Sequence, residues 1–217
     1  MVKLLIFDAG DILYTFPWQT WLRITDAFFK KHNIDSRLQA KKWKQIEPLV
    51  TTGALGLREA HKFVFKELGA SERVGRAWTA LDNWIVRNFC KRKPGVKRTL
   101  LALKKAGYKL AVLSDSVHGR RTKWLIFKRI GLEGVFDAVF CSCDIGHVKP
   151  SPAAYRLVMR HFGAKPAETV FIGHSRDELD GASAIGIRTI AVDREKGARA
   201  DYYARKFSDI PAILRLF

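Results

Sequence analysis

The sequence predicts an α/β protein: a doubly wound parallel sheet with an all-helical domain inserted after its first strand. Three observations carry this. Short apolar runs recur at 2–7, 109–113, 137–141, 169–172 and 188–192. Between the last four lie amphipathic helical patterns, and that alternation is the mark of βαβ units. From residue 15 to about 91 the alternation stops, and helical periodicity alone fills the gap.

The first run, "VKLLIF", reaches an acid, Asp8. Four helices follow, over 18–31, 36–49, 56–68 and 71–89. Ser36 and Gln39 have capping-box spacing, and Trp78, Leu81, Trp84 and Ile85 form an apolar stripe read as core. Five of the six tryptophans fall in this region, so it needs an apolar interior of its own. The expected division is a core domain of residues 1–14 and 92–217 and a helical domain of 15–91. Past it, "GVKRTLLALKKAG" reads as a helix feeding the strand at 109–113. "SPAAYRLVMRHFG" begins with a serine cap ahead of proline, a helix start.

Composition narrows the function classes. A 217-residue chain with 47% hydrophobic residues holds a sizeable core. No apolar run reaches the roughly 18 residues of a membrane span, and the start lacks a secretory pattern. Cys90, Cys141 and Cys143 form no CxxC pair and read as free thiols in a reducing, cytoplasmic setting. Formal charge is +18, concentrated in residues 87–129, where fourteen Lys and Arg face one acid, Asp115. Such a region attracts nucleic acid, an anionic surface or a phosphorylated substrate. No nucleic-acid motif accompanies it, so solvated helix faces are the expected explanation.

The chemistry gathers where strands end. Asp8 follows the first strand, Ser114 the second; Lys149 lies in "GHVKPSP" after the third, and "GHSRDELDGA" follows the fourth. In an open α/β sheet the ligand sits outside the carboxyl ends of the strands, where strand order reverses. A carboxylate, a hydroxyl and an ammonium at one sheet edge suit nucleophilic displacement. The carboxylate attacks, the hydroxyl and backbone N–H groups hold anionic oxygens, and the ammonium neutralises developing charge.

These motifs resemble the haloacid dehalogenase superfamily of hydrolases, in its branch with a helical (C1-type) cap. "FDAGDIL" resembles the nucleophile motif, "KLAVLSDS" the Ser/Thr motif, and "GHVKPSPAAY" the lysine motif. "VFIGHSRDELDGASAIGIRTIAV" resembles the acidic motif, and the likeness runs over almost the whole chain. The resemblance implies a Rossmann-like core and a phosphatase of small phosphorylated metabolites working through an aspartyl-phosphate on Asp8. Ser114 and the Asp115 N–H would bind phosphate, and Lys149 would stabilise the nucleophile and the transferring group. Mg²⁺ would be held by Asp8, the Gly10 carbonyl and the acidic motif, in which His174, Asp177 and Glu178 are the candidates.

Two positions depart from the family pattern. The residue two after the nucleophile, an acid in the phosphatases, is Gly10, which has a carbonyl for a metal but no proton to donate. Asp11 stands one position too far along. In the acidic motif, His174 holds the place of a Mg²⁺-binding Asp, although Mg²⁺ prefers oxygen; Mn²⁺ or no metal are the alternatives. The 2-haloacid dehalogenases act without metal and also lack the second acid, which makes such an activity the alternative enzyme reading. Asp115 opposes it, since those enzymes usually carry Asn there. A third reading is a catalytically impaired protein holding RNA or an acidic partner on its basic surface.

Overall fold

In the computed structural model, which describes residues 1–16 and 18–217, six parallel strands form the main sheet. They are β1 (Leu4–Phe7), β4 (Lys109–Ser114), β5 (Ala138–Cys141), β6 (Thr169–Gly173), β7 (Arg188–Val192) and β8 (Tyr202–Ala204). Their order is β5-β4-β1-β6-β7-β8. The chain builds β4 and β5 on one side of β1, then returns to build β6, β7 and β8 on the other. Strand order therefore reverses beside β1, and Asp8 is the residue that leaves it.

The apolar runs are continuous because the sheet is covered on both faces. Leu5, Phe7, Val112 and Ile172 point to one face and pack with α5 (Val96–Lys105) and α6 (Arg120–Arg129). Leu4, Ile6, Leu113 and Phe171 point to the other, against α8 (Pro152–Phe162) and α9 (Arg176–Ser183). The five expected strands are present; β8 is a sixth, three residues long, which periodicity did not reveal. α8 starts as its sequence suggests, with Ser151 Oγ accepting from the Ala153 N–H and Pro152 in the first turn.

Between β1 and β4 lie α1 (Trp18–Lys31), α2 (Ser36–Thr51), α3 (Leu57–Glu67) and α4 (Glu72–Phe89). They enclose a separate apolar cluster of Phe29, Ile34, Val64, Phe65 and Trp78. Where the chain leaves and re-enters the main sheet, β2 (Tyr14–Thr15) and β3 (Lys91–Arg92) pair antiparallel. Two local expectations are corrected. The cap of α2 is Asp35, whose Oδ1 accepts from the Arg37 and Leu38 N–H groups at 2.8 and 2.9 Å; Ser36 is already helical, so the Ser36–Gln39 capping box does not form. In the apolar stripe of α4, Trp78 and Ile85 are buried, but Trp84 is 48% exposed and packs edge-on against Phe89.

The helical segment buries a titratable group among aromatic rings. His61 is 3% exposed, with Nδ1 3.0 Å from Thr79 Oγ1 and its ring beside Trp43. Burial disfavours imidazolium and lowers its pKa from 6.5 to about 4. The unfolded chain then binds more protons than the fold between those values, so acidification across that window destabilises the protein by about 3 kcal/mol from this residue. Urea midpoints at pH 7 and 4.5 check this: His61→Gln should lessen the acid loss relative to the parent, and equal losses in both proteins would refute it.

The basic segment 87–129 is divided among α4, β3, α5, β4 and α6, and several of its side chains are engaged. Lys93 pairs with Asp193 and donates to the Asp11 carbonyl. Lys104 donates to the Val135 carbonyl, and Arg129 to the Asn88 carbonyl, both through the side chain. Lys123 is buried. Among the described residues, no helix is long and apolar enough to cross a membrane.

Candidate active site

Residues from both helical layers meet in one cavity of about 840 Å³ at the strand ends beside β1. Asp8, Gly10, Ser114, Asp115, Lys149, His174 and Glu178 all line it, as does Asp11. Asp8 is 6% exposed, fixed by its backbone N–H donating to the Ile172 carbonyl, one further rung of the β1–β6 ladder. Ser114, the last residue of β4, is 4% exposed.

Lys149 is the electrostatic centre. Its Nζ lies 2.5 Å from Asp8 Oδ1 and 2.9 Å from Glu178 Oε1, and its side chain is wholly buried. Burial by itself would lower the lysine pKa, but the Asp8 and Glu178 carboxylates outweigh it and raise the value above the ordinary range. Lys149 stays ammonium. The Glu178 pKa rises too, but here the rise favours the neutral form: burial and the Asp8 charge push its carboxyl up to about 7 despite Lys149. The Lys149 backbone N–H donates to Asp115 Oδ1 at 3.1 Å, which ties the lysine loop to the end of β4.

Glu178 is held from below. The buried Tyr155 hydroxyl donates to the Glu178 carbonyl at 2.7 Å. Gly181, one turn on, lets α9 approach the lysine loop; a Cβ there would stand 2.5 Å from Pro150 Cβ and 2.6 Å from its carbonyl oxygen. "KPSPAAY" and "DELDGA" thus touch through the Tyr155 hydroxyl and the absent side chain of Gly181.

The expected metal ligands fare differently. Asp177 is exposed and does not line the cavity. It faces away because its neighbour Glu178 takes the inward position on α9. His174 Nδ1 is 3.6 Å from Asp8 Oδ2, beyond hydrogen-bond reach, and neither Nδ1 nor Glu178 Oε2 has a hydrogen-bond partner among the described residues. The Gly10 carbonyl accepts from the Ile12 N–H at 2.7 Å. Among the described residues no three His, Cys, Asp or Glu side chains converge to hold an ion. This donor set does not fit Mg²⁺: an imidazole stands where oxygen is needed, and one oxygen each of Asp8 and Glu178 is taken by Lys149. His174→Asp supplies the missing oxygen, and calorimetry should then show Mg²⁺ binding at least about tenfold tighter than in the parent chain. Equal affinities would show that position 174 does not set the metal response.

Asp11 does not substitute for an acid at position 10 in any fixed way. It is exposed, in the left-handed region at φ 54°, and among the described residues only its backbone is engaged, the N–H with the Tyr14 carbonyl and the carbonyl with Lys93.

Several lining residues carried no sequence signal. Trp21, Trp43 and Trp78 of the helical segment turn toward the cavity, so aromatic residues read as core also form its wall. Asp82 of α4 receives the Trp21 Nε1–H at 3.3 Å and lies 3.4 Å from His118 Nε2. Burial raises the Asp82 pKa to about 6 and lowers that of His118 to about 3. Tyr14 and Lys123 complete the inner wall. Only the periodicity of α6 pointed inward at 123, and a lysine at a core position is easily read as surface.

Comparison with known proteins agrees with this geometry. Residues 30–192 match the family described as haloacid dehalogenase-like hydrolase. The chain is 32% identical over 219 residues to a glyceraldehyde 3-phosphate phosphatase from Methanopyrus kandleri, covering 97% of this chain and 91% of that one. It is 32% identical over 126 residues to the pyrophosphatase PpaX of Bacillus mycoides, covering 55% of this chain; that match spans only 58% of the relative's length. Among solved structures, a 2-haloacid dehalogenase from Pseudomonas syringae superposes with a TM-score of 0.77 over the whole chain and 99% of its own, at 20% identity. At that identity the likeness concerns the fold.

Proposed function

The chain belongs to the haloacid dehalogenase-like hydrolases, and from that premise we propose a phosphatase of small phosphorylated metabolites that works through an aspartyl-phosphate on Asp8. The observation that carries it is the buried Asp8–Lys149–Glu178 contact at the reversal of strand order, with Ser114 on the same cavity wall. Relatives named as phosphatases support the substrate class.

In the first step an Asp8 oxygen attacks phosphorus and the bond to the leaving oxygen breaks. Lys149 holds Oδ1, which leaves Oδ2 without a hydrogen bond among the described residues and free to attack. The developing charge on the phosphoryl oxygens is met by the Lys149 ammonium, the Ser114 hydroxyl and the N–H of Asp115. Water then cleaves the acyl-phosphate, returning the Asp8 carboxylate and releasing phosphate. Mg²⁺ enters no step, because among the described residues the donors expected for it do not converge. Residues 15–91 act as the cap. Their aromatic wall meets the organic part of the substrate and excludes water.

A phosphatase screen with rapid acid quench tests this. A phosphoryl adduct should appear on the peptide carrying Asp8 during turnover. Phosphate release with no such adduct under burst conditions would replace Asp8 by direct attack of water.

Dehalogenation is the second reading, favoured by the same poor fit to Mg²⁺ and by Gly10. Asp115 weighs against it, since a carboxylate on the cavity wall repels the carboxylate of a haloacid. Halide release from 2-chloropropionate distinguishes the two.

A further inference from the structure

Among the described residues two lysines are buried in the wall of this cavity, and one of them has a carboxylate within ion-pair distance. Lys149 holds Asp8 and Glu178. Lys123 is 5% exposed, yet among the described residues it makes no ion pair; its Nζ donates to the Tyr14 hydroxyl at 2.8 Å and lies 5.5 Å from the centre of that ring. Arg120, Arg121, Lys128 and Arg129 of the same helix are all exposed. Lys123 alone is turned inward, beside Ile126 and Phe127.

The groups in direct reach of its ammonium carry no opposite charge, and Asp8 acts on it only from a distance. Burial pushes the thiols of Cys90 and Cys141 up to about 11 and about 12 and raises Tyr14 as well, so all three are neutral at physiological pH. Burial keeps His118 neutral too. Of the acids of this cavity, Asp82 has its two oxygens facing Trp21 Nε1 and His118 Nε2, and Asp8, whose charge reaches Lys123, is paired with Lys149. An ammonium taken out of water without a partner is strongly unfavourable, whereas one that meets an anion in such a place binds it firmly. A buried charge that lines a ligand cavity without a direct ion pair marks a place where the ligand brings the counter-charge.

We propose that Lys123 and the Tyr14 hydroxyl form an anion subsite separate from Asp8, which receives a second anionic group, phosphate or carboxylate, on the substrate. The inference rests on the reading of Asp8 as nucleophile for the position of the first, scissile phosphate. Tyr14 couples the two ends. The Asp11 N–H donates to its carbonyl and Gly10 is bridged to it, so the subsite is carried by the same loop that leaves the nucleophile. The substrate class narrows to metabolites with two anionic groups on one small skeleton.

The test uses three non-hydrolysable probes, measured by calorimetry: methylphosphonate, methylenediphosphonate and phosphonoacetate. The unmodified chain should bind at least one two-anion probe about tenfold or more tightly than methylphosphonate; which one shows whether the second group is phosphate or carboxylate. Lys123→Met should abolish that ratio while changing methylphosphonate affinity by less than about twofold. It should also raise the thermal midpoint of the ligand-free protein, because the buried charge is gone. Asp8→Asn should keep the ratio while losing turnover, so the subsite and the nucleophile fail separately. The proposal is overturned if the unmodified chain shows no preference for either two-anion probe, a result that needs no variant. It is equally overturned if Lys123→Met preserves the ratio or weakens all three probes alike.

Discussion

Gly10→Asp is expected to raise kcat on alkyl phosphates by about 10²–10⁴, the usual contribution of a positioned general acid. Position 10 lines the cavity two residues after Asp8, and a Cβ built there meets nothing within 4 Å. Its φ is not in the left-handed region, so a side chain enters without backbone strain. The new carboxyl would stand near the Asp8 charge in a half-enclosed site. Both factors raise its pKa and keep a proton available for the leaving oxygen. The gain should depend on the leaving group, large for an alkyl alcohol and small for p-nitrophenol, which departs without protonation. The check is a plot of log kcat against leaving-group pKa for both proteins. The parent should fall steeply with rising pKa and the variant should be flatter. Parallel lines would show that protonation of the leaving group does not limit the parent enzyme.

Asp8→Asn is expected to lower turnover by at least about 10³-fold and to remove the phosphoryl adduct, since a neutral amide does not form the acyl-phosphate. Its structural effect should be smaller than the cost of stranding one partner of a buried ion pair, about 3–5 kcal/mol. Lys149 keeps Glu178 at 2.9 Å. The Glu178 carboxyl, held near 7 partly by the Asp8 charge, ionises more readily once that charge is gone and compensates the lysine alone. A destabilisation of about 1–3 kcal/mol by urea denaturation, with the far-UV spectrum unchanged, separates lost chemistry from lost fold. Retention of phosphatase activity in a folded Asp8→Asn protein would remove the nucleophile from the mechanism.

The two variants probe different halves of what was legible. Asp8, Ser114 and Lys149 could be named in advance because each ends or follows an apolar run, and in a parallel sheet the ends of successive strands lie on one edge. Backbone hydrogen bonding places them there whatever the surface does. The acidic motif was legible only to within a turn of helix. Asp177 and Glu178 are adjacent, so they point about 100° apart on α9, and sequence alone does not say which faces the sheet. The capping box at Ser36 went wrong for a similar reason: Asp35, one residue earlier, competes for the same N–H groups and wins with two hydrogen bonds.

The sequence by itself determined the alternating β and α order, the interruption by four helices, and the meeting of Asp8, Ser114 and Lys149 at the candidate site. Local periodicity and strand-end position suffice for these, because they depend on contacts between neighbours along one sheet. Only the tertiary structure decided that Trp21, Trp43 and Trp78 wall the cavity, that Asp82 meets His118, and that Lys123 is buried against Tyr14, 109 positions away in the chain. The charge state and partner of a buried group are set by whatever the fold brings alongside it, and no pattern within its own helix records that neighbour.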